Sequence, residues 1–237
     1  MAKLKWDESG KHVYETGVSH GTLYVQNKNG SYSPGVAWNG LTAVTESPTG
    51  GEATAIYADD IKYLNLYSVE NFEATIDAYT YPEQFKLCNG EGVEIAGLSI
   101  GQQNRRSFGF VYRTVVGNDT LAERYGYKLH ILYGLRAAPS EKNYQTQNDS
   151  PEAITFSWEI TSVPISYPDH KPVSALTIDS TKMNAKDLSV LEDLLFGSEE
   201  TNPSLKTPAE IADVIMIGFL LDDDNDYITI GEDRIRV

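Results

Sequence analysis

Apolar and polar residues alternate with period two in several stretches of this chain. Over residues 71–80, Phe72, Ala74, Ile76 and Ala78 fall on one side and Glu73, Thr75, Asp77 and Tyr79 on the other. Over residues 153–161, Ile154, Phe156, Trp158 and Ile160 oppose Thr155, Ser157 and Glu159. Residues 126–134 set Tyr127, Leu129, Ile131 and Tyr133 against Lys128 and His130, and residues 107–115 align Phe108, Phe110 and Tyr112. Period two with one polar face is the pattern of half-buried antiparallel strands. On this reading His130 is a surface or interface residue, whereas Trp158 and Phe156 belong to the core.

Two further runs, residues 36–46 and 53–67, flank Ser47-Pro48-Thr49-Gly50-Gly51. Pro followed by two glycines is turn chemistry, so the pair reads as one long β-hairpin with its tip at Glu46, Ser47, Pro48, Thr49, Gly50, Gly51 and Glu52. The arms near that tip (Thr42, Thr45, Thr54) are polar, and a two-stranded ribbon is marginal in water. Such an arm leans on its own chain or on a neighbour.

Helical periodicity is scarce. Residues 82–88 suit two turns that start at Pro82 and stop at Asn89-Gly90. Residues 184–196 place Leu188, Leu191, Leu194 and Leu195 on one face, with Gly197 as the stop. Thr207-Pro208-Ala209-Glu210 is a capping box that opens a helix over residues 211 to about 216. Beyond an acidic turn, Tyr227-Ile228-Thr229-Ile230 reads as a short strand. The expected class is mainly β and antiparallel, with one or two flanking α-helices and a long hairpin arm. Fifteen tyrosines and 19 glycines in 237 residues, against 3 methionines, agree with strands and turns.

Charge alters the functional picture. The chain carries 34 Asp+Glu against 19 Lys+Arg, a net of −15, and its pI is about 4.6. A chain that grips phosphate backbones needs the opposite balance. Residues 190–237 hold 12 acids and 3 bases, so more than half of the excess sits in the last fifth. With 41% hydrophobic and 22% charged residues, a packed core is expected rather than disorder. No run of about 18 apolar residues and no signal-peptide pattern is visible, so the expectation is a soluble protein made in the cytoplasm.

Candidate chemistry is thin. Asp222, Asp224, Asp226 and Asp233 match acidic positions of a calcium loop, but Tyr227 stands where the turn needs Gly, and Asp233 where a bidentate Glu belongs. The segment reads as a solvated turn, and no cofactor or metal is expected. His12, His20, His130 and His170 show no ligand spacing. The single cysteine, Cys88, excludes an intrachain disulfide and reads as a buried thiol. Gly101-Gln102-Gln103-Asn104-Arg105-Arg106 lacks the Lys-Ser/Thr of a phosphate loop. Glu73 and Asp77 share one strand face about 13 Å apart, too far for a glycosidase pair. The expectation is a protein that is not an enzyme.

Several strings nevertheless resemble one family. Gly35-Val36-Ala37-Trp38-Asn39-Gly40-Leu41-Thr42-Ala43-Val44-Thr45-Glu46-Ser47-Pro48 is similar to the N-terminal signature of the major tail proteins of long-tailed, non-contractile bacteriophages. So are Tyr57-Ala58-Asp59-Asp60-Ile61-Lys62-Tyr63, Glu73-Ala74-Thr75-Ile76-Asp77-Ala78-Tyr79-Thr80-Tyr81-Pro82 and Gly117-Asn118-Asp119-Thr120. The likeness continues through residues 148–159 and spans about residues 4 to 215. It implies an antiparallel β-sandwich or barrel of the tail-tube type over residues 1–215, with an acidic extension at 216–237 outside it.

The resemblance implies hexameric rings of this protein stacked into a tube that encloses the tape-measure protein and conducts DNA during ejection. It also implies contacts with other tail proteins, residence in the virion after assembly in the host cytoplasm, and no membrane association. The hairpin would join subunits or rings. Glu73 and Asp77, on the polar face of a lining strand, would be luminal, where acidic residues keep DNA from adhering. The rival expectation is a monomeric carbohydrate-binding β-sandwich, whose aromatics would stack on sugars.

Overall fold

A computed structural model describes residues 3–95, 97–146, 153–168, 170–220, 227–230 and 233–236. In chain order the strands are β1 (Val13–Val25), β2 (Val36–Trp38), β3 (Leu41–Glu46), β4 (Ala53–Ala58), β5 (Ile61–Tyr67) and β6 (Glu73–Ala78). They continue as β7 (Gly92–Ile95), β8 (Leu98–Ile100), β9 (Phe108–Asn118), β10 (Ala122–Ala137), β11 (Phe156–Ser162) and β12 (Ala175–Asp179). Two helices follow, α1 (Ala185–Phe196) and α2 (Pro208–Leu220), and then the hairpin β13 (Tyr227–Ile230) and β14 (Asp233–Arg236). The fold is a mainly β, antiparallel sandwich with two flanking helices: the antiparallel strands are those the alternation predicts, and the sandwich is the one the resemblance implies.

The main sheet runs β2-β1-β9-β10-β11-β6-β3, and β12 also pairs with β10. The long β10 makes this one sheet into two layers. Its first half pairs with β12 from Lys128 to Leu132, and its last residues pair with β11 from Leu135 to Ala137. The switch falls at Gly134, whose φ is +60° and where an added Cβ would run into the Val163 carbonyl. Strands change layers at bulges and glycines of this kind. The fold-over brings β3 back beside β1, so that Leu41 packs against Gly21.

Between the layers, Phe108, Phe110 and Tyr112 of β9 meet Ala74, Ile76 and Ala78 of β6 and Trp158 and Ile160 of β11. Trp38 sits at the centre, with ring centroids 4.4 Å from Phe85, 5.4 Å from Trp158 and 5.5 Å from Phe110. Its indole N–H donates to the Thr80 carbonyl at 2.8 Å, which satisfies the one polar atom it buries. Residues 36–46 therefore do not form one strand: Trp38 turns inward and Gly40 (φ +79°) breaks the run into β2 and β3. Phe85 comes from a short 3₁₀ helix, Glu83–Leu87, where the sequence predicts two helical turns. Cys88 is fully buried beside it.

A second core lies on the other face of β9, β10 and β12. Val111, Leu129, Ile131, Tyr133 and Ile178 are covered there by Leu191 and Leu195 of α1 and Ile211 of α2. The two sides of β9 and β10 are thus both covered over much of their length, because the helices occupy what alternation alone presents as the solvent face. Asn184 caps α1 through its side chain, which accepts from the Asp187 amide at 2.9 Å. Thr207 and Glu210 close the capping box of α2: the Thr207 amide donates to Glu210 at 2.9 Å and the Glu210 amide to Thr207 at 3.3 Å. That helix runs further than residue 216. The candidate calcium turn at 222–226 and the string at 148–152 lie outside the described residues.

Candidate assembly surface

The long hairpin exists, but its register differs from the expected one. β3 pairs with β6, not with the run that follows it, and β4 pairs with β5. The arm is therefore Ala53–Tyr67 folded on itself, and its tip is Asp59-Asp60. Both tip residues have left-handed backbone (φ +51° and +62°), the geometry of the two-residue turn that matches strand twist. Asp tolerates that region better than most side chains do.

Glu46, Ser47, Pro48, Thr49, Gly50, Gly51 and Glu52 consequently form the stem of the arm rather than its tip. The Ser47 amide donates to the Glu73 carbonyl at 2.8 Å, Thr49 and Asn71 exchange backbone bonds at 2.9 and 2.7 Å, and the Ser68 amide donates to Glu52 at 3.1 Å. Gly50 (φ +84°) packs so closely on Val69 that a Cβ would meet the Val69 carbonyl. The Pro-Gly-Gly chemistry steers the chain out of the sandwich instead of reversing it. Glu46 fixes the stem to the core, because its carboxylate accepts from the Tyr112 hydroxyl at 2.8 Å.

That contact belongs to a polar network between the layers. Glu15 bonds Lys128 at 2.5 Å and accepts from Thr114 at 2.6 Å. His130 reaches Thr114 at 3.0 Å and stacks on Tyr112, with centroids 4.5 Å apart and planes 5° apart. His130 is thus half-buried, with its side chain 12% exposed, rather than open to solvent, and its place on the polar side of β10 agrees with the expected face. Burial holds its imidazole below the ordinary 6.5, outweighing the pull of Glu46 and Glu15. Burial alone would raise the Glu15 pKa, but its bonds from Lys128 and Thr114 bring it below 4.5.

Outside the stem the arm has, among the described residues, no sheet partner but itself. Its register sets Ile56 opposite Leu64, Thr54 opposite Leu66 and Ala58 opposite Ile61, so one face is aliphatic. The other face carries Tyr57, Lys62 and Tyr67. Ile61 is 65% exposed, Leu66 55%, Leu64 39% and Ile56 38%. These four side chains leave an apolar strip on one face of the arm open to solvent, and the periodic run of residues 53–67 is the signal in the sequence that points to it.

Glu73 and Asp77 lie where their alternation puts them, on the face of β6 turned from the core. Their cross-strand neighbours make that face polar: Thr75 pairs with Thr45 on β3 and Glu159 on β11, and Asp77 pairs with Ser157. Glu159 is a third acid on this face. Glu73 also accepts from the Thr49 hydroxyl at 3.2 Å, which ties it to the stem. Among the described residues, no group of three or more His, Cys, Asp or Glu could hold a metal ion, and no helix is long and apolar enough to cross a membrane.

No family model and no curated protein matches the sequence. Among solved structures, the chain is similar to one from a structure titled "Cryo-EM structure of the anti-feeding prophage (AFP) baseplate, 6-fold symmetrised". The identity is 8% and the TM-score 0.35, over 77% of this chain and 100% of that one. At that TM-score the likeness fixes neither fold nor function.

Proposed function

We propose that this protein is a structural, non-catalytic component of a bacteriophage tail that assembles with copies of itself into stacked hexameric rings. The observation that carries this reading is the arm: a two-stranded ribbon with an exposed aliphatic face, anchored by a rigid stem to a well-packed sandwich. Ribbons of this length do not hold their shape in water without a surface to lie on. The strings that resemble tail proteins include Glu46-Ser47-Pro48 of the stem and residues 57–63 of the arm, which supports the same conclusion.

In such a tube the Glu73, Thr75, Asp77 and Glu159 face lines the lumen around the tape-measure protein and later the DNA. Carboxylates there remove the counterion-release gain that makes proteins adhere to nucleic acid. The competing carbohydrate-binding role cannot use Trp38, Trp158 and Phe85, which pack against one another in the core, and would have to rest on exposed aromatics such as Trp6, Tyr57 and Tyr67.

Electron microscopy and light scattering of purified protein over a concentration series test the proposal. Rings or tubes above a threshold concentration are expected, with Glu73 and Asp77 facing the channel in a reconstructed map. A protein that stays monomeric throughout, or a map with those residues on the exterior, refutes the respective claim.

A further inference from the structure

The chain is strongly acidic, yet one cleft is basic. A depression of about 530 Å³ is lined by Lys28, Leu87, Arg105 and Arg106, among others. Glu91 also lines it but is already engaged, accepting from Asn89 at 2.9 Å and pairing with Lys142 at 2.7 Å. No described carboxylate lies within ion-pair distance of Lys28 or Arg106, and both side chains are exposed. Arg105 is held in place by bonds to the Ala137 and Ala138 carbonyls at 3.3 and 3.0 Å. Burial, and then the neighbouring Arg136, disfavour its charge. The cleft sets three cations, Lys28, Arg105 and Arg106, against the single carboxylate of Glu91, which also acts on Arg105 and is shared with Lys142.

Its position relative to the arm is set by the sheet. The arm leaves from the start of β6, where the stem bonds Asn71 and Glu73. At its other end β6 leads into the 3₁₀ helix whose Leu87 forms a wall of the cleft. β6 therefore separates an arm tipped by two carboxylates from a basic cleft at the opposite end of the sandwich. A tip on one end and a cleft on the other let copies join head to tail, whereas two antiparallel copies exchanging tips would close as a two-fold pair; repeating assembly needs the head-to-tail arrangement.

We propose that the Asp59-Asp60 tip of one copy seats in the Lys28, Arg105 and Arg106 cleft of the next copy. The inference rests on the reading of the arm as an assembly element and names its receptor. The arm, about 20 Å long at the usual strand rise, is long enough to reach past its own sandwich edge. Leu87, at the cleft mouth, offers an apolar contact to the aliphatic face behind the tip. Opposite charges steer and register the contact, and adjacent like charges at the tip gain from cationic neighbours.

The experiment is a charge exchange in the full chain. Asp59→Lys with Asp60→Lys in one variant, and Lys28→Glu with Arg106→Glu in another, should each raise the threshold concentration for assembly by at least about tenfold, since like charges then face each other. An equimolar mixture of the two should assemble near the wild-type threshold, because each supplies the partner the other lacks. Asp59→Asn with Asp60→Asn keeps residues that tolerate the left-handed turn and should also weaken assembly, which separates lost charge from lost shape. Either reversal assembling like wild type, or a mixture no better than its components, overturns the cleft as receptor. If those variants assemble normally while substitutions on the aliphatic face block assembly, the arm reading stands and only its receptor is wrong. A wild-type protein that never assembles removes both.

Discussion

Replacing Ile61 and Leu66 together by serine is the sharpest test of the arm. Burying an aliphatic side chain of this size from full exposure contributes about 1.5–3 kcal/mol. Scaled by the exposure each retains in the single chain, 65% and 55%, the pair would contribute about 2–3.5 kcal/mol to a contact that covers the arm. Each factor of ten in an association constant is about 1.4 kcal/mol, so the threshold for polymerisation should rise roughly 20- to 400-fold. Folding of the sandwich should not change, because neither side chain belongs to either core and surface substitutions usually fall within about 0.5 kcal/mol. Sedimentation or light scattering across concentrations gives the threshold, and thermal melting gives the stability. A threshold within about threefold of wild type, equivalent to about 0.6 kcal/mol, refutes the role assigned to the aliphatic face.

Two further outcomes are expected. Asp60→Gly relieves a left-handed aspartate, which should stabilise the hairpin by up to about 1 kcal/mol and slow amide exchange in the arm, while weakening assembly through the lost carboxylate; faster exchange would contradict the turn assignment. His130 and Glu15 both have folded-state pKa values below their ordinary 6.5 and 4.5, so each contributes stability above those values that is lost as pH falls through the folded pKa. Thermal melts should therefore decline below about pH 6.5 and again below about pH 4.5, with the first decline smaller in His130→Gln, since His20 is also depressed by burial and remains; a first decline unchanged in His130→Gln would contradict the burial assigned to His130.

Much of the sandwich was legible from the sequence because its strands keep a strict period of two. Phe72 to Ala78 and Trp158 to Ile160 show the same faces in sequence and in structure. The α1 and α2 starts were legible for a local reason, since Asn184 and the Thr207-Glu210 box satisfy their own helix amides. What failed was pairing, a non-local property. Pro48-Gly50-Gly51 has stronger turn chemistry than Asp59-Asp60, yet only the latter carries the two-residue reversal. The former is held open by bonds to Asn71 and Glu73, some 20 residues along the chain. The surroundings of His130 were hidden for a related reason: alternation assigns it a face but not what covers that face, and the cover comes from Tyr112, Thr114 and Glu15 on other strands.

The corrected register also changes what the arm can do. A hairpin with its tip at Ser47–Gly51 would have shared β3 with the main sheet and carried little apolar surface. With β3 committed to β6, the stem is part of the sandwich, braced through Glu46 to Tyr112 and through Ser47 and Thr49 to the start of β6. Of the run from residue 36 to residue 67, the segment 53–67 remains outside. A force on the arm is thus delivered to β6, the strand that bears Glu73 and Asp77 on one face and Ala74, Ile76 and Ala78 in the core on the other. If copies join arm to cleft, the load path from one copy to the next runs along β6 and its 3₁₀ extension, through the aromatic cluster of Trp38, Phe85 and Trp158. A close-packed interior transmits strain rather than absorbing it, which makes the most densely aromatic part of the core the segment that joins the two assembly surfaces.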